Sequence, residues 1–163
     1  MNKLKYLIVH CTLTPPSMKV TKDMLKLWHM GKKEDGHRGW SRLGYSDIIH
    51  RDGIVQNLTP YNEDEYVQNH EMTWGASGVN SISRHIVLSG GLTEEGKSSK
   101  MHFSKLYTIP QFYSLAYACY RFLYKHPDCK IGGHYQFANK GCPNFDIQFF
   151  LRTIGIDEKN IVQ

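Results

Sequence analysis

Short apolar runs separated by polar turns predict strands and helices along this chain. Residues 5–10 contain a short run of β-branched and large apolar residues, which predicts a buried strand, and a polar, proline-containing segment ends it. Residues 83–88 predict a second strand, closed by Gly90 and Gly91. Residues 130–134 predict a third. A hairpin with an Asp-Gly turn is predicted from two β-type runs, residues 45–51 and 54–58.

Helical periodicity appears in three places. An apolar stripe at i, i+4, i+7 and i+8 predicts an amphipathic helix that ends before Gly31, with Val20, Met24, Leu27 and Trp28 on its buried face. Residues 109–125 predict the clearest helix, with Thr108 and Gln111 as a capping box. Residues 145–154 predict a last helix ended by Gly155. The polar stretch 59–80 predicts a long loop.

This order of elements predicts an α/β fold in which helices flank a central mixed β-sheet. A chain of 163 residues is long enough to bury a core without disulfides. The sequence shows no internal repeat, linker or second domain. The sequence therefore predicts one domain over residues 1–163, with its core at about residues 4–155.

Composition narrows the function only slightly. The formal net charge of +5 suits an anionic partner, but the basic residues are scattered and no nucleic-acid motif is present. The four cysteines are far apart without a CxxC pair, and the first residues lack the pattern of a signal peptide. No run approaches the roughly 20 apolar residues that cross a bilayer. We expect a soluble protein, made in the cytoplasm with reduced thiols.

Candidate chemistry comes from two histidines and one cysteine. His10 ends the first predicted strand, His134 ends the last one, and Cys142 lies in the turn before the final helix. A lone histidine at a strand end is usually only a satisfied polar residue. Two imidazoles and a thiolate together supply three of the four ligands of a tetrahedral zinc, and an open fourth position is the mark of a catalytic site.

The chain resembles the zinc-dependent N-acetylmuramoyl-L-alanine amidases of type 2, a family that includes bacteriophage lysozyme-like amidases and peptidoglycan recognition proteins. The matching segments follow the family's order and span nearly the whole chain: residues 8–12 (IVHCT), 27–29 (LWH), 43–53 (LGYSDIIHRDG), 80–82 and 90–91, 133–134, and 140–146 (KGCPNFD). The phage enzymes are the most similar members, because a cysteine rather than an aspartate stands at position 142.

The resemblance implies specific roles for five residues. It makes His10, His134 and Cys142 the ligands of one Zn²⁺ per chain, and Tyr45 and Lys140 the catalytic residues. Zinc lowers the pKa of bound water from about 15.7 toward 7, and a lysine ammonium can stabilise a tetrahedral oxyanion. Without the resemblance, Tyr45 would be interpreted as a core aromatic residue and Lys140 as a solvated loop residue.

Two segments depart from the family pattern. Residues 71–79 stand where the family usually has a His-Ala-Gly-like run, so Trp74 is a candidate for substrate binding or, equally, an anchor of the loop. Arg84 and His85 stand where the family is usually small and apolar. The strand that carries them also lacks the glutamate base of bacterial members, as the phage-type members do.

The resemblance implies hydrolysis of the amide bond between N-acetylmuramic acid and L-alanine in peptidoglycan. We expect a phage or prophage endolysin that acts on the cell wall after release, with recycling of cytoplasmic muropeptides as a second possible role. The alternative is a non-catalytic peptidoglycan-binding protein, or a regulator of phage RNA polymerase, a partner implied by the family alone. Retention of Cys142 favours the enzyme. We expect a monomer that does not insert into membranes.

Overall fold

A central five-stranded sheet organises the protein, which a computed structural model describes over residues 1–98 and 101–163. The strands are β1 (Asn2–Lys3), β2 (Tyr6–Cys11), β3 (Asp47–Ile49), β4 (Val55–Asn57), β5 (Tyr66–Val67), β6 (Ser83–Leu88) and β7 (Lys130–Gly133). The sheet order is β4-β3-β6-β2-β7; neighbours are parallel except the antiparallel pair β3 and β4, and β1 pairs with β5 separately. This mixed sheet confirms the predicted α/β class. The helices are α1 (Lys22–Met30), α2 (Phe103–Leu106), α3 (Ile109–Lys125) and α4 (Ile147–Thr153).

Side-chain alternation along the strands gives the sheet two buried faces. Leu7, Val9 and Cys11 of β2 belong to the hydrophobic cluster that contains buried residues of α3 and α4. Ile48 and Val87 belong to a second cluster with Val20 and Leu25, on the side of α1. His10 therefore faces the α1 side, because its neighbours on β2 face the other way.

Strand register brings the carboxyl ends of β2 and β7 together. These strands are parallel, and Val9 pairs with Gly133. His10 and His134 are each the next residue along the chain. Parallel strands end at the same edge of a sheet, where ligand sites commonly form. The fold therefore places both histidines at one edge.

The predicted capping box and hairpin are both present. The Thr108 side chain accepts a hydrogen bond from the Gln111 backbone N–H, and the Gln111 side chain accepts one from Thr108 N–H. Ile49 pairs with Val55 across the hairpin, and Gly53 in its turn has φ +87°, a value that favours glycine.

Several predicted details are wrong. The buried face of α1 is formed by Leu25 and His29, whereas Leu27 is exposed because it lies on the solvent side. The stretch 59–80 is mostly loop, as predicted, although it contains the two-residue strand β5. Tyr45 precedes β3 instead of lying on it. The last helix begins later than predicted, at Ile147 after the Asp146 cap. β1 and α2 were not predicted, because both are too short to show periodicity.

Across residues 1–98 and 101–163, none of the helices is long and apolar enough to span a membrane.

Candidate metal centre and cleft

Cys142 is brought to the two histidines by the turn that precedes α4. The Tyr135 N–H donates to the Cys142 carbonyl at 2.9 Å, which ties this turn to the segment that follows His134. The Asn144 side chain donates to the Gly91 carbonyl at 2.7 Å, and the Tyr107 hydroxyl donates to the Pro143 carbonyl at 2.6 Å. The turn is therefore held against both the β7 and β6 ends of the sheet.

His10, His134 and Cys142 converge as the sequence analysis expected. One ligand atom from each side chain lies within 4.8 Å of the others, and no other such group of three occurs within residues 1–98 and 101–163. Cys142 Sγ lies 3.9 Å from His10 Nδ1. In a tetrahedral zinc site with bonds of about 2.0 Å to nitrogen and 2.3 Å to sulfur, these atoms are about 3.5 Å apart. The donor set and its spacing therefore fit zinc.

Burial keeps both histidines neutral, as metal ligation requires. Desolvation lowers the pKa of His10 well below its usual value, and the nearby His85, His134 and Lys140, which disfavour a positive charge on His10, add to the effect. Desolvation, followed by the charge of Lys140, lowers the pKa of His134 to about 4. At neutral pH each imidazole consequently offers a nitrogen lone pair.

The thiol of Cys142 is the ligand that must lose a proton. Its hydrogen bond with the Cys11 thiol raises its pKa well above the usual value, and burial acts in the same direction. The Cys11 backbone N–H also donates to Cys142 Sγ at 3.1 Å, an interaction that persists with a thiolate. Cys11 is 4 % exposed and belongs to the hydrophobic core, although its thiol also reaches the site. Zinc uptake should therefore release a thiol proton.

A cleft of about 450 Å³ opens beside this cluster. Four of the residues named from the sequence line it, namely Tyr45, Trp74, Lys140 and His134. Lys140 is exposed on the loop between His134 and Cys142, while Tyr45 is half-buried with its ring centroid 5.2 Å from that of His10. Both candidate catalytic residues thus share one opening with His134, one of the three candidate metal ligands.

Tyr45 is held in place by a histidine of α1. His29 Nδ1 accepts a hydrogen bond from the Gly44 N–H at 3.1 Å, and its ring meets the Tyr45 ring edge-on at 5.1 Å between centroids. Desolvation raises the pKa of Tyr45, with a further contribution from Cys142. The phenol therefore stays protonated and can donate a hydrogen bond into the cleft. These contacts give His29 a structural role beside the cleft.

Two aromatic residues form one wall of the cleft. The rings of Trp40 and Trp74 meet edge-on at 6.4 Å, and the Arg38 guanidinium lies 4.8 Å from the Trp40 ring centroid. The Trp74 N–H donates to the Leu43 carbonyl at 2.9 Å, which attaches the 59–80 loop next to Tyr45. Arg38 and Trp40 were not predicted from the sequence, because they lie in a polar segment without periodicity and their place beside Trp74 depends on the fold.

Comparison with known proteins places the chain in a family. It is 32% identical over 142 residues to the endolysin of Escherichia phage T7, an alignment that covers 87% of this chain and 82% of the relative. No protein-family model matches the chain.

Solved structures share the fold. The N-acetylmuramoyl-L-alanine amidase LysC of Clostridium intestinale superposes with a TM-score of 0.67 at 19% identity, covering 95% of this chain and 87% of that one. The bumblebee peptidoglycan recognition protein PGRP-SA superposes with a TM-score of 0.67 at 17% identity, covering 99% and 86%. With the relationship to the T7 protein, the chain belongs to the type 2 N-acetylmuramoyl-L-alanine amidase family, among the phage endolysins.

Proposed function

We propose that this protein is a phage endolysin that hydrolyses the amide bond between N-acetylmuramic acid and L-alanine in peptidoglycan, with one zinc held by His10, His134 and Cys142. The observation that carries the proposal is the convergence of these three side chains beside an open cleft, of which His134 forms part of the lining. Three nitrogen and sulfur ligands with access from solvent are typical of a catalytic zinc site.

A bound zinc would lower the pKa of a water molecule to about 7, which would make hydroxide available as the nucleophile at neutral pH. The residues of the chain account for the remaining requirements. The scissile carbonyl must lie near His134 and Lys140, where the lysine ammonium stabilises the negative charge that develops on oxygen. Tyr45 keeps its proton and donates a hydrogen bond that orients the substrate. Trp40 and Trp74 offer aromatic faces to the sugar or the stem peptide.

The cellular setting belongs to the same proposal. The protein is made in the cytoplasm and reaches the cell wall after release, as expected of an endolysin. Retention of the Cys142 ligand within reach of both histidines favours the enzyme over a binding protein without catalytic activity. Association with RNA polymerase and the monomeric state stay predictions.

Metal analysis of Cys142→Ser tests the zinc site. We expect about one zinc per wild-type chain and a large loss in the variant. Cys129→Ser is the matched control: Cys129 is also buried, but its thiol donates to the Leu4 carbonyl at 3.3 Å in a separate cluster, a bond that a serine hydroxyl can replace. Unchanged zinc content in Cys142→Ser would exclude the thiolate as a ligand.

Activity is measured on isolated peptidoglycan as the release of new L-alanine amino termini, with and without a chelator. We expect activity in the wild type, loss with the chelator, and recovery when zinc is restored. Cleavage that persists with the chelator after zinc has been removed would contradict the zinc mechanism. Release of reducing sugars instead of amino termini would contradict the proposed bond.

A further inference from the structure

His85 is a fully buried histidine whose ring contacts the proposed ligand His10. His85 Nδ1 lies 3.0 Å from His10 Nε2, and the two side chains are 0% and 1% exposed. The register of β2 and β6 creates this contact, because Ile8 pairs with His85 and His10 pairs with Val87. The two histidines are diagonal neighbours on the same face of the sheet.

We propose that His85 is a positioning residue that fixes the orientation and the tautomer of His10 as a metal ligand. The inference deepens the proposed zinc site and rests on it. Metal-ligating histidines usually donate their second ring N–H to a partner, and that partner holds the ring in place. Here the partner is another imidazole.

The two ring nitrogens of His10 have different surroundings. Nδ1 faces Cys142 Sγ at 3.9 Å, and Nε2 faces His85 Nδ1 at 3.0 Å. A neutral imidazole has one N–H and one lone pair. If Nδ1 presents its lone pair to a metal, Nε2 carries the proton and donates it to His85 Nδ1. The geometry thus assigns a donor role to His10 and an acceptor role to His85.

This arrangement leaves the other ring nitrogen of His85, Nε2, without a hydrogen-bond acceptor among the described residues. Once Nδ1 accepts, the proton of His85 lies on Nε2, which is buried and has no hydrogen-bond partner within residues 1–98 and 101–163. An unpaired buried donor destabilises the fold. An apolar side chain would fill the same space without that cost, so the feature that a histidine adds here is the acceptor facing His10.

Gly75 makes room for the His85 ring. A Cβ at position 75 would lie 2.4 Å from His85 Nδ1 and 2.6 Å from the Gly44 carbonyl, so a side chain there would displace one of them. Gly75 belongs to the 59–80 loop, and His85 to β6. The two segments that depart from the family pattern therefore meet at this point, next to His10.

Zinc affinity of two variants tests the role of His85. Affinity is measured on the purified full chain by chelator competition, and the Co²⁺-substituted protein is compared by absorption spectroscopy. His85→Leu removes the acceptor, and we expect an affinity loss of about 10–100-fold and an altered Co²⁺ spectrum. His85→Asn places an amide oxygen near the position of Nδ1, so it should recover most of the affinity. His126→Leu changes a buried histidine at the end of α3 and should leave the affinity unchanged.

The outcomes separate this inference from the proposed function. A wild-type protein that binds zinc, with His85→Leu equally tight, would overturn the positioning role and leave the zinc site standing. Equal weakening by the Leu and Asn variants would also overturn it, because packing alone would then be responsible. A wild-type protein without zinc affinity would overturn the proposed function instead.

A measurement on the wild type decides the matter even if His85→Leu does not fold. Long-range ¹H–¹⁵N NMR of the metal-free protein reports which nitrogen of His10 carries the proton. We expect the proton on Nε2, in slow exchange with solvent because the site is buried. A proton on Nδ1 would overturn the assignment.

Discussion

Glu71→Ala should destabilise the protein strongly, because it leaves a buried arginine without its counter-charge. The Glu71 and Arg84 side chains are 0% and 5% exposed, and Arg84 Nη1 lies 3.3 Å from Glu71 Oε2. The carboxylate also accepts the backbone N–H groups of Asn62 at 2.7 Å and Gln68 at 3.0 Å. Removing one partner of a buried ion pair costs about 3–5 kcal/mol. That is a large fraction of the 5–15 kcal/mol that typically stabilises a domain of this kind.

Urea unfolding of Glu71→Ala measures this loss, with Glu63→Ala as the matched control. Glu63 forms an ion pair with Arg121 on the surface, where a pair contributes about 0–1 kcal/mol. The double variant Glu71→Leu/Arg84→Met removes both charges and should be less destabilised than Glu71→Ala. A Glu71→Ala cost no greater than that of Glu63→Ala would refute the reasoning.

The same carboxylate predicts a pH dependence. Desolvation acts to raise the pKa of Glu71, but the N–H groups of Asn62 and Gln68 together with Arg84 outweigh it and lower the pKa. A carboxyl whose pKa is lower in the folded state stabilises the fold above its unfolded pKa of about 4.3. This contribution is lost as the pH falls through the folded-state pKa. The free energy of unfolding, measured by urea unfolding at several pH values, should therefore fall less steeply in acid for Glu71→Gln than for the wild type.

Three further predictions concern the site. Lys140→Ala and Tyr45→Phe should each keep the zinc and the fold but lower kcat by roughly 10²–10³. The surface variant Lys159→Ala is the control and should stay active. Normal turnover in either test variant would show that its residue takes no part in catalysis. Trp74→Ala should raise KM for muropeptides more than it lowers kcat, whereas an unchanged KM with a lower Tm would make Trp74 a packing residue. Metal-free protein should lose stability as the pH falls from about 6.5 toward 4, because burial lowers the pKa of His134 to about 4 and only the unfolded chain takes up a proton in this range. The free energy of unfolding should fall by up to about 1.4 kcal/mol per pH unit for each such histidine. Equal urea midpoints at pH 7.5 and pH 5 would contradict this prediction.

The larger elements could be predicted from the sequence because their local signals agree with their packing. The strand at residues 83–88 is β6, and the helix at 109–125 is α3 with its capping box in place. In α1, by contrast, the apolar pattern suggested that Leu27 was buried. The fold buries His29 instead, because its imidazole accepts the Gly44 N–H. A polar group that is buried for a hydrogen bond leaves no mark in hydrophobic periodicity.

The candidate ligands were accessible to sequence reasoning because each stands at the end of a recognisable element. The orientation of Arg84 and His85 was not accessible, because it depends on contacts with a loop that is far away along the chain. Successive residues of a strand point to opposite faces, so one of the two had to face the α1 side. The register with β2 gives that position to His85, next to His10, while Arg84 faces Glu71 on the 59–80 loop.

These opposite orientations connect β6 with the 59–80 loop at two points. Arg84 holds the first part of the loop through Glu71 and through the carbonyls of Asn62 and Tyr66. His85 fills the space left open by Gly75, the residue that follows Trp74 of the cleft. Damage to the ion pair should therefore disturb the aromatic wall of the cleft as well as the fold, whereas loss of the His85 acceptor should act on His10 and the metal. Two adjacent residues on one strand thus support the two halves of the site separately.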